Sequence, residues 1–225
     1  MLRYAVLAAA CTVLAAERHD AAGKRTQSPE EIVRSLTRAA ETQEKKLGAY
    51  TVNRRYSVRL KNRKDVDVLE VLWIYKPGAG REFKIIRTEG SSSVTQKALM
   101  EVIETEAQNS RIKPDPASIT SEHYSFELIS QDEKNYRLRL TPRSASKFLV
   151  FGDVLMDRAS GAIVKLEGKT SKRLSFWIGN AYLVRQYAKT AEFWLPLKTQ
   201  SIAQVRFFGN VELTINSENY QFQKF

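Results

Sequence analysis

The sequence predicts a mainly β chain, about ten antiparallel strands forming one large curved sheet or partial barrel. Three observations carry that expectation. From residue 48 to the C-terminus the apolar positions recur with period two, run after run. At 147–168, KFLVFGDVLMDRASGAIVKLEG, two apolar-rich runs flank Asp157-Arg158-Ala159-Ser160-Gly161, with glycine where a hairpin needs positive φ. Only two segments switch to helical period.

The first of these is 28–47. Ser28 is placed as N-cap, Pro29 at the first helical position and Glu31 to complete a capping box. Ile32, Val33, Leu36, Ala40 and Leu47 recur at helical spacing, and Gly48 supplies the stop. The helix is amphipathic and needs an apolar surface to lie on.

In the first strand Tyr50, Val52, Tyr56, Val58 and Leu60 share one face and Thr51, Asn53, Arg55, Ser57 and Arg59 the other. Arg54 interrupts the apolar face. It either snorkels to the rim or meets a ligand head group inside, since an unpaired buried charge is costly. Strands at 65–77 and 82–88 follow, joined by a Pro77-Gly78-Ala79-Gly80 turn.

The second helix is expected over 93–107, where Val94, Ala98, Leu99, Val102 and Ile103 fit its period and Ser93 with Gln96 offers another capping box. After a loop at 109–118, strands are expected at 119–130, 135–141, across the 147–168 hairpin, then at 174–178, 181–189, 193–208 and 211–225. A sheet of that size must hide one face. The 28–47 helix, joined by the 93–107 helix, would cover its concave side. No linker interrupts the strands, so residues 28–225 read as one domain.

The 225 residues suffice for one sizeable core, and 27% charged with 43% hydrophobic residues is a globular composition. The formal net charge is +11. One local excess lies within 48–64, where Arg54, Arg55, Arg59, Lys61, Arg63 and Lys64 occur without an acid. It reads either as a surface for phosphate-bearing partners or as a solvated basic face.

Residues 1–16 read as a signal peptide, with Arg3, an apolar run from Tyr4 to Ala16, and then the polar Glu17-Arg18-His19-Asp20. Val13 and Ala15 stand at −3 and −1 for cleavage before Ala16, and 17–27 is a polar leader. The apolar run is shorter than the ~20 residues that span a bilayer. Export to the periplasm is the working expectation. Cys11, the one cysteine, raises an alternative: Ala8-Ala9-Ala10-Cys11 loosely resembles a bacterial lipobox, although Leu7 lies one place early and 12–16 stays apolar. Ordinary cleavage leaves a chain without cysteine, whose core alone stabilises it.

Catalytic sets are not assembled. His19 and His123 have no partner at metal-ligand spacing, no nucleophile elbow or phosphate-binding glycine loop occurs, and the acids form no evident pair. The expectation is binding without turnover, with no cofactor and no metal. Nucleic acid is the other class the charge raises, through the alternating aromatic and basic residues of 50–64. The export signal and the outward placement of Arg55, Arg59, Arg137 and Arg139 argue against it and suit an anionic membrane or acidic partner equally well.

Three segments taken in order carry a family resemblance. They are Trp73-Ile74-Tyr75-Lys76-Pro77, the strand Tyr136-Arg137-Leu138-Arg139-Leu140-Thr141-Pro142-Arg143, and the 154–168 hairpin. Behind an amphipathic helix and a signal peptide, they resemble the LolA/LolB-like superfamily of periplasmic lipoprotein-carrier and lipoprotein-sorting proteins. The resemblance implies an open half-barrel of ten to eleven strands with a helical lid over an apolar cavity that takes up acyl chains. It implies a monomeric carrier of lipid or acylated lipoprotein, for outer-membrane lipoprotein sorting or lipid transfer. It also makes Lys76 the counterpart of a basic residue, usually Arg, that helps set how strongly ligand is held. Lys is a weaker hydrogen-bonding fork than Arg. In place of the family's Asp-Gly…Leu-Trp-x-Tyr strand this chain has the 93–107 helix. A protein-interaction module that senses envelope stress on the same fold is the alternative function.

The candidate cavity or rim residues are Arg54, Tyr56, Trp73, Lys76, Phe83, Phe126, Phe148 and Phe151. With Trp177, Phe193, Trp194, Phe207 and Phe208 they are more aromatic bulk than strand turns require. Such rings either line a mouth for acyl chains or pack the interior solid.

Overall fold

The computed structural model describes residues 28–61, 65–90, 92–112 and 115–223. Residues 1–27, read above as signal peptide and leader with Cys11, and Arg63 and Lys64 lie outside them.

The chain folds as helix α1 (Pro29–Lys46), strands β1 (Tyr50–Leu60), β2 (Val66–Lys76) and β3 (Gly80–Glu89), helix α2 (Ser93–Asn109), and seven further strands. These are β4 (Tyr124–Gln131), β5 (Asn135–Pro142), β6 (Val150–Asp157), β7 (Ile163–Thr170), β8 (Ile178–Thr190), β9 (Phe193–Val205) and β10 (Gly209–Phe222). All ten strands form one antiparallel sheet in the order β3-β2-β1-β10-β9-β8-β7-β6-β5-β4. The sheet is a meander broken twice. β1 pairs with β10, setting Tyr56 beside Ile215, and the chain passes from the free edge of β3 to that of β4 through α2. It is an open half-barrel, not a closed one.

Local signals explain most elements. Ser28 caps α1, its hydroxyl accepting from the Glu31 amide while the Glu31 carboxylate accepts from the Ser28 amide at 3.0 Å. Gly161 turns the β6–β7 hairpin at φ +71°. It has a second reason to be glycine, since a Cβ there would meet the Ser35 carbonyl oxygen of α1 at 2.9 Å. Three expectations are corrected. Residues 174–177 bend rather than extend, and β8 begins at Ile178. The cap of α2 is Ser92 rather than Ser93, and the Ser92 hydroxyl accepts from the Thr95 amide at 3.3 Å. β4 begins only at Tyr124, after a turn at 121–123.

Each helix covers one half of the concave face. Ile32, Val33 and Leu36 of α1 pack with Tyr124, Leu138, Leu140, Val154 and Met156 of β4–β6. Leu99, Ile103 and Ala107 of α2 pack with Val52, Tyr56, Leu69, Val71 and Trp73 of β1 and β2. Burying such side chains contributes about 1.5–3 kcal/mol each. Gly152 faces Gly168 across β6 and β7 at close approach, and a Cβ at Gly152 would lie 2.5 Å from the Gly168 Cα.

On the convex face three of the outward arginines, Arg55, Arg137 and Arg139, are paired. Arg55 meets Glu70, and Asp153 accepts from both Arg137 and Arg139. Burial opposes the charge of Asp153, but those two arginines outweigh it and hold its pKa below the usual value.

Candidate functional site

The concave half under α2 holds a buried polar group in an apolar floor. Strand alternation places Val52, Arg54, Tyr56 and Val58 inward along β1, and the register sets Trp73 beside Val52 and Phe83 beside Trp73. Arg54 is therefore inside, at 6% exposure, and does not snorkel.

Its partner comes from the helix. Arg54 Nη1 donates to Glu106 Oε1 at 2.5 Å, and Arg81 Nη1 donates to the same oxygen at 3.0 Å. Trp73 Nε1 donates to the Tyr56 hydroxyl at 2.8 Å, and that hydroxyl reaches Glu106 Oε2 at 3.4 Å. The Arg54 guanidinium also lies 5.4 Å from the Trp73 ring centre. Its Nε is buried and has no hydrogen-bond partner among the described residues.

The charges respond as this geometry requires. Burial disfavours the Glu106 carboxylate, but Arg54 and Arg81 outweigh that and hold its pKa at about 2. Burial likewise opposes the Arg54 cation, and Glu106 more than offsets it, so its pKa is raised. Burial and the nearby Glu106 charge push Tyr56 up to about 12. The cluster is a neutral phenol beside fixed charges, two guanidiniums against one carboxylate. Nothing in it is poised to transfer a proton near neutral pH.

Of the eight candidates, Arg54, Tyr56, Trp73 and Phe83 come together here, with the Trp73 and Phe83 rings 5.6 Å apart. Lys76 is exposed at the end of β2, 3.5 Å from Glu82. Phe126 packs against the α1 half of the core. Phe148 is half-buried below the Lys147 ammonium, and Phe151 is half-exposed, lining a cleft of about 490 Å³ with Arg143, Lys169 and Asn180. A neighbouring cleft of about 530 Å³ runs between 145–147 and 172–176. His123 pins a turn through the Ser118 carbonyl, 2.9 Å from its Nδ1.

Sequence reasoning missed Glu106 and Arg81. A signal for the first existed, because Arg54 on an apolar face demands an acid. Glu106 follows Ile103 by three residues and so shares its helical face, whereas Glu101 and Glu104 do not.

No family model matches the chain, and no curated protein does. Several solved structures are similar to it, three of which follow. One is a domain assigned to outer-membrane lipoprotein sorting from Vibrio parahaemolyticus, 11% identical, covering 88% of this chain and 94% of its own, with a TM-score of 0.47. The second is a DUF1329 family protein from Desulfovibrio piger, 11% identical over 88% of this chain and 94% of that one, with a TM-score of 0.44. The third is a LolA superfamily protein from Nitrosomonas europaea, 12% identical over 89% and 96%, with a TM-score of 0.41.

Proposed function

We propose that this chain is an exported, periplasmic carrier that binds one acyl chain of a lipid or acylated lipoprotein on the floor now covered by α2. The observation that carries the reading is the Arg54–Glu106 pair: a buried arginine in an apolar floor of Val52, Tyr56, Val71, Trp73 and Phe83 is matched by a single carboxylate from the helix above.

Apolar contact is exchangeable. An acyl chain that displaces Leu99, Ile103 and Ala107 recovers about 0.8 kcal/mol for each methylene it buries, so a long chain matches the helix's own contribution. The exchange is near balance, which a carrier needs if it is to release its cargo. The orphan Nε of Arg54 offers a donor to an ester or amide oxygen at the head of that chain. Binding and release of this kind use no cofactor and no metal.

The test is native mass spectrometry with lipid extraction on protein purified from its own periplasm. Bound phospholipid or lipopeptide, lost when Trp73 is changed to Ala, supports the reading. A clean mass with no uptake of added lipid removes it.

A second reading, an interaction module, is favoured by one observation. β3 is a free sheet edge with Ile85 and Ile86 exposed, a place where an extended segment of another protein adds as a strand.

A further inference from the structure

The end of the sheet where β7 turns to β8 and β9 to β10 carries aromatic side chains that acyl binding does not use. Phe176 is 65% exposed, Trp177 54%, Phe207 86% and Phe208 42%. Four large rings left together in water mark an interaction surface.

The cluster is built. The Arg206 amide donates to the Trp177 carbonyl at 2.9 Å, tying the two turns together. Phe176 meets Trp177 edge-on at 5.0 Å, and Trp177 lies 6.0 Å from Phe207. The Arg206 guanidinium sits 5.0 Å from the Phe176 ring and 5.9 Å from that of Phe207. Ser175 Oγ accepts from the amides of Trp177 and Ile178, holding the first turn. Phe207 has φ +70°, a conformation costly for any residue but glycine, and it is the most exposed large apolar side chain.

Basic residues crowd the loops at this end. Segments 143–149, 171–177 and 206–210 contain Arg143, Lys147, Lys172, Arg173 and Arg206 and no acid. All five are exposed, and Lys147, Lys172 and Arg173 line one cleft with Phe176. The arginines of the convex face differ, since Arg55, Arg137 and Arg139 are taken up by Glu70 and Asp153.

We propose that this end is a docking surface for an anionic phospholipid bilayer. Phe176, Trp177, Phe207 and Phe208 enter the interfacial layer, while the basic residues around them meet lipid phosphates. The aromatic group sits on two loops, and amphipathic Trp among cations matches an interface that is apolar on one side and anionic on the other. The surface stands apart from the floor under α2, so the proposal does not rest on the acyl-binding reading.

The test is co-sedimentation of the full chain with vesicles of phosphatidylethanolamine and phosphatidylglycerol, against vesicles of phosphatidylcholine alone. Binding is expected to be at least about tenfold stronger to the anionic vesicles and to weaken with salt, since each basic residue near such a surface adds roughly fivefold. Phe207→Ser is expected to weaken it at least about tenfold with an unchanged melting temperature. Tryptophan emission should shift to the blue on binding, and the shift should vanish in Trp177→Phe. If Phe207→Ser fails to fold, Lys172→Gln with Arg173→Gln reads the charge and Trp177→Phe the aromatic contact. Equal binding to both vesicle types, or binding untouched by these changes, would overturn the proposal. So would self-association without vesicles that Phe207→Ser abolishes, which would make this face an interface between copies of the chain.

Discussion

Arg54 and Glu106 stand 52 residues apart in sequence and meet at 2.5 Å, the one on the floor of the half-barrel and the other on the helix above it. Together with the Arg81–Glu106 contact at 3.0 Å, this pair ties α2 electrostatically to the sheet. The carboxylate is 28% exposed and the guanidinium 6%, so water screens the pair little.

Glu106→Gln keeps the shape of the side chain and removes its charge, leaving the Arg54 cation buried without a counter-ion. A loss of about 3 kcal/mol is expected, the usual cost of breaking such a pair from one side. Hydrogen exchange should quicken across α2 and not across α1, because α1 packs on the separate β4–β7 half of the core. Uniform acceleration over both helices would show that the two halves do not open independently.

The same pair gives stability a pH dependence with a definite sign. The folded-state pKa of Glu106, about 2, lies below the ordinary 4.5. Its stabilisation is therefore fully present above about pH 4.5 and is lost as pH falls towards 2. Urea midpoints measured over that window should fall more steeply for the parent protein than for Glu106→Gln. Parallel curves would mean that other carboxylates carry the acid sensitivity.

Gly152→Ala is expected to destabilise the sheet by about 1–3 kcal/mol, as overpacking does. The added Cβ would lie 2.0 Å from the Glu167 carbonyl oxygen, which is backbone within a strand and cannot swing aside. A thermal melt reads the effect directly. An unchanged melting temperature would show that β6 and β7 can separate at this glycine pair without cost.

Elements with local signals were legible in the sequence. Ser28, Pro29 and Glu31 announced α1, Gly161 the β6–β7 turn, and alternation along β1 gave the inward face including Arg54. The long-range features were not legible. Pairing of β1 with β10 joins residues some 160 apart, and no local propensity reports it. Half of the candidate site was visible because Tyr56, Trp73 and Phe83 are apolar strand positions. The other half depends on where α2 lies across β2 and β3, which decides that Glu106 and Arg81, rather than other charges nearby, meet Arg54. Phe126 has the same residue chemistry as Phe83 and only the sheet order separates the two, whereas Phe151 alternates with buried Val150 and so takes the outer face of β6.

The most direct test of the central claim is quenching of Trp73 by a monoacyl phospholipid brominated along its chain, in a Trp177→Phe, Trp194→Phe background where Trp73 is the only indole. Trp73 is 1% exposed and lies beneath the helix, so a quencher reaches it only if an acyl chain takes the place of α2. Saturable quenching is expected below the lipid's micelle concentration, at lower lipid concentration in Glu106→Gln, where the helix is released more easily. Trp73 emission that stays unquenched in both proteins while the lipid binds elsewhere would contradict it.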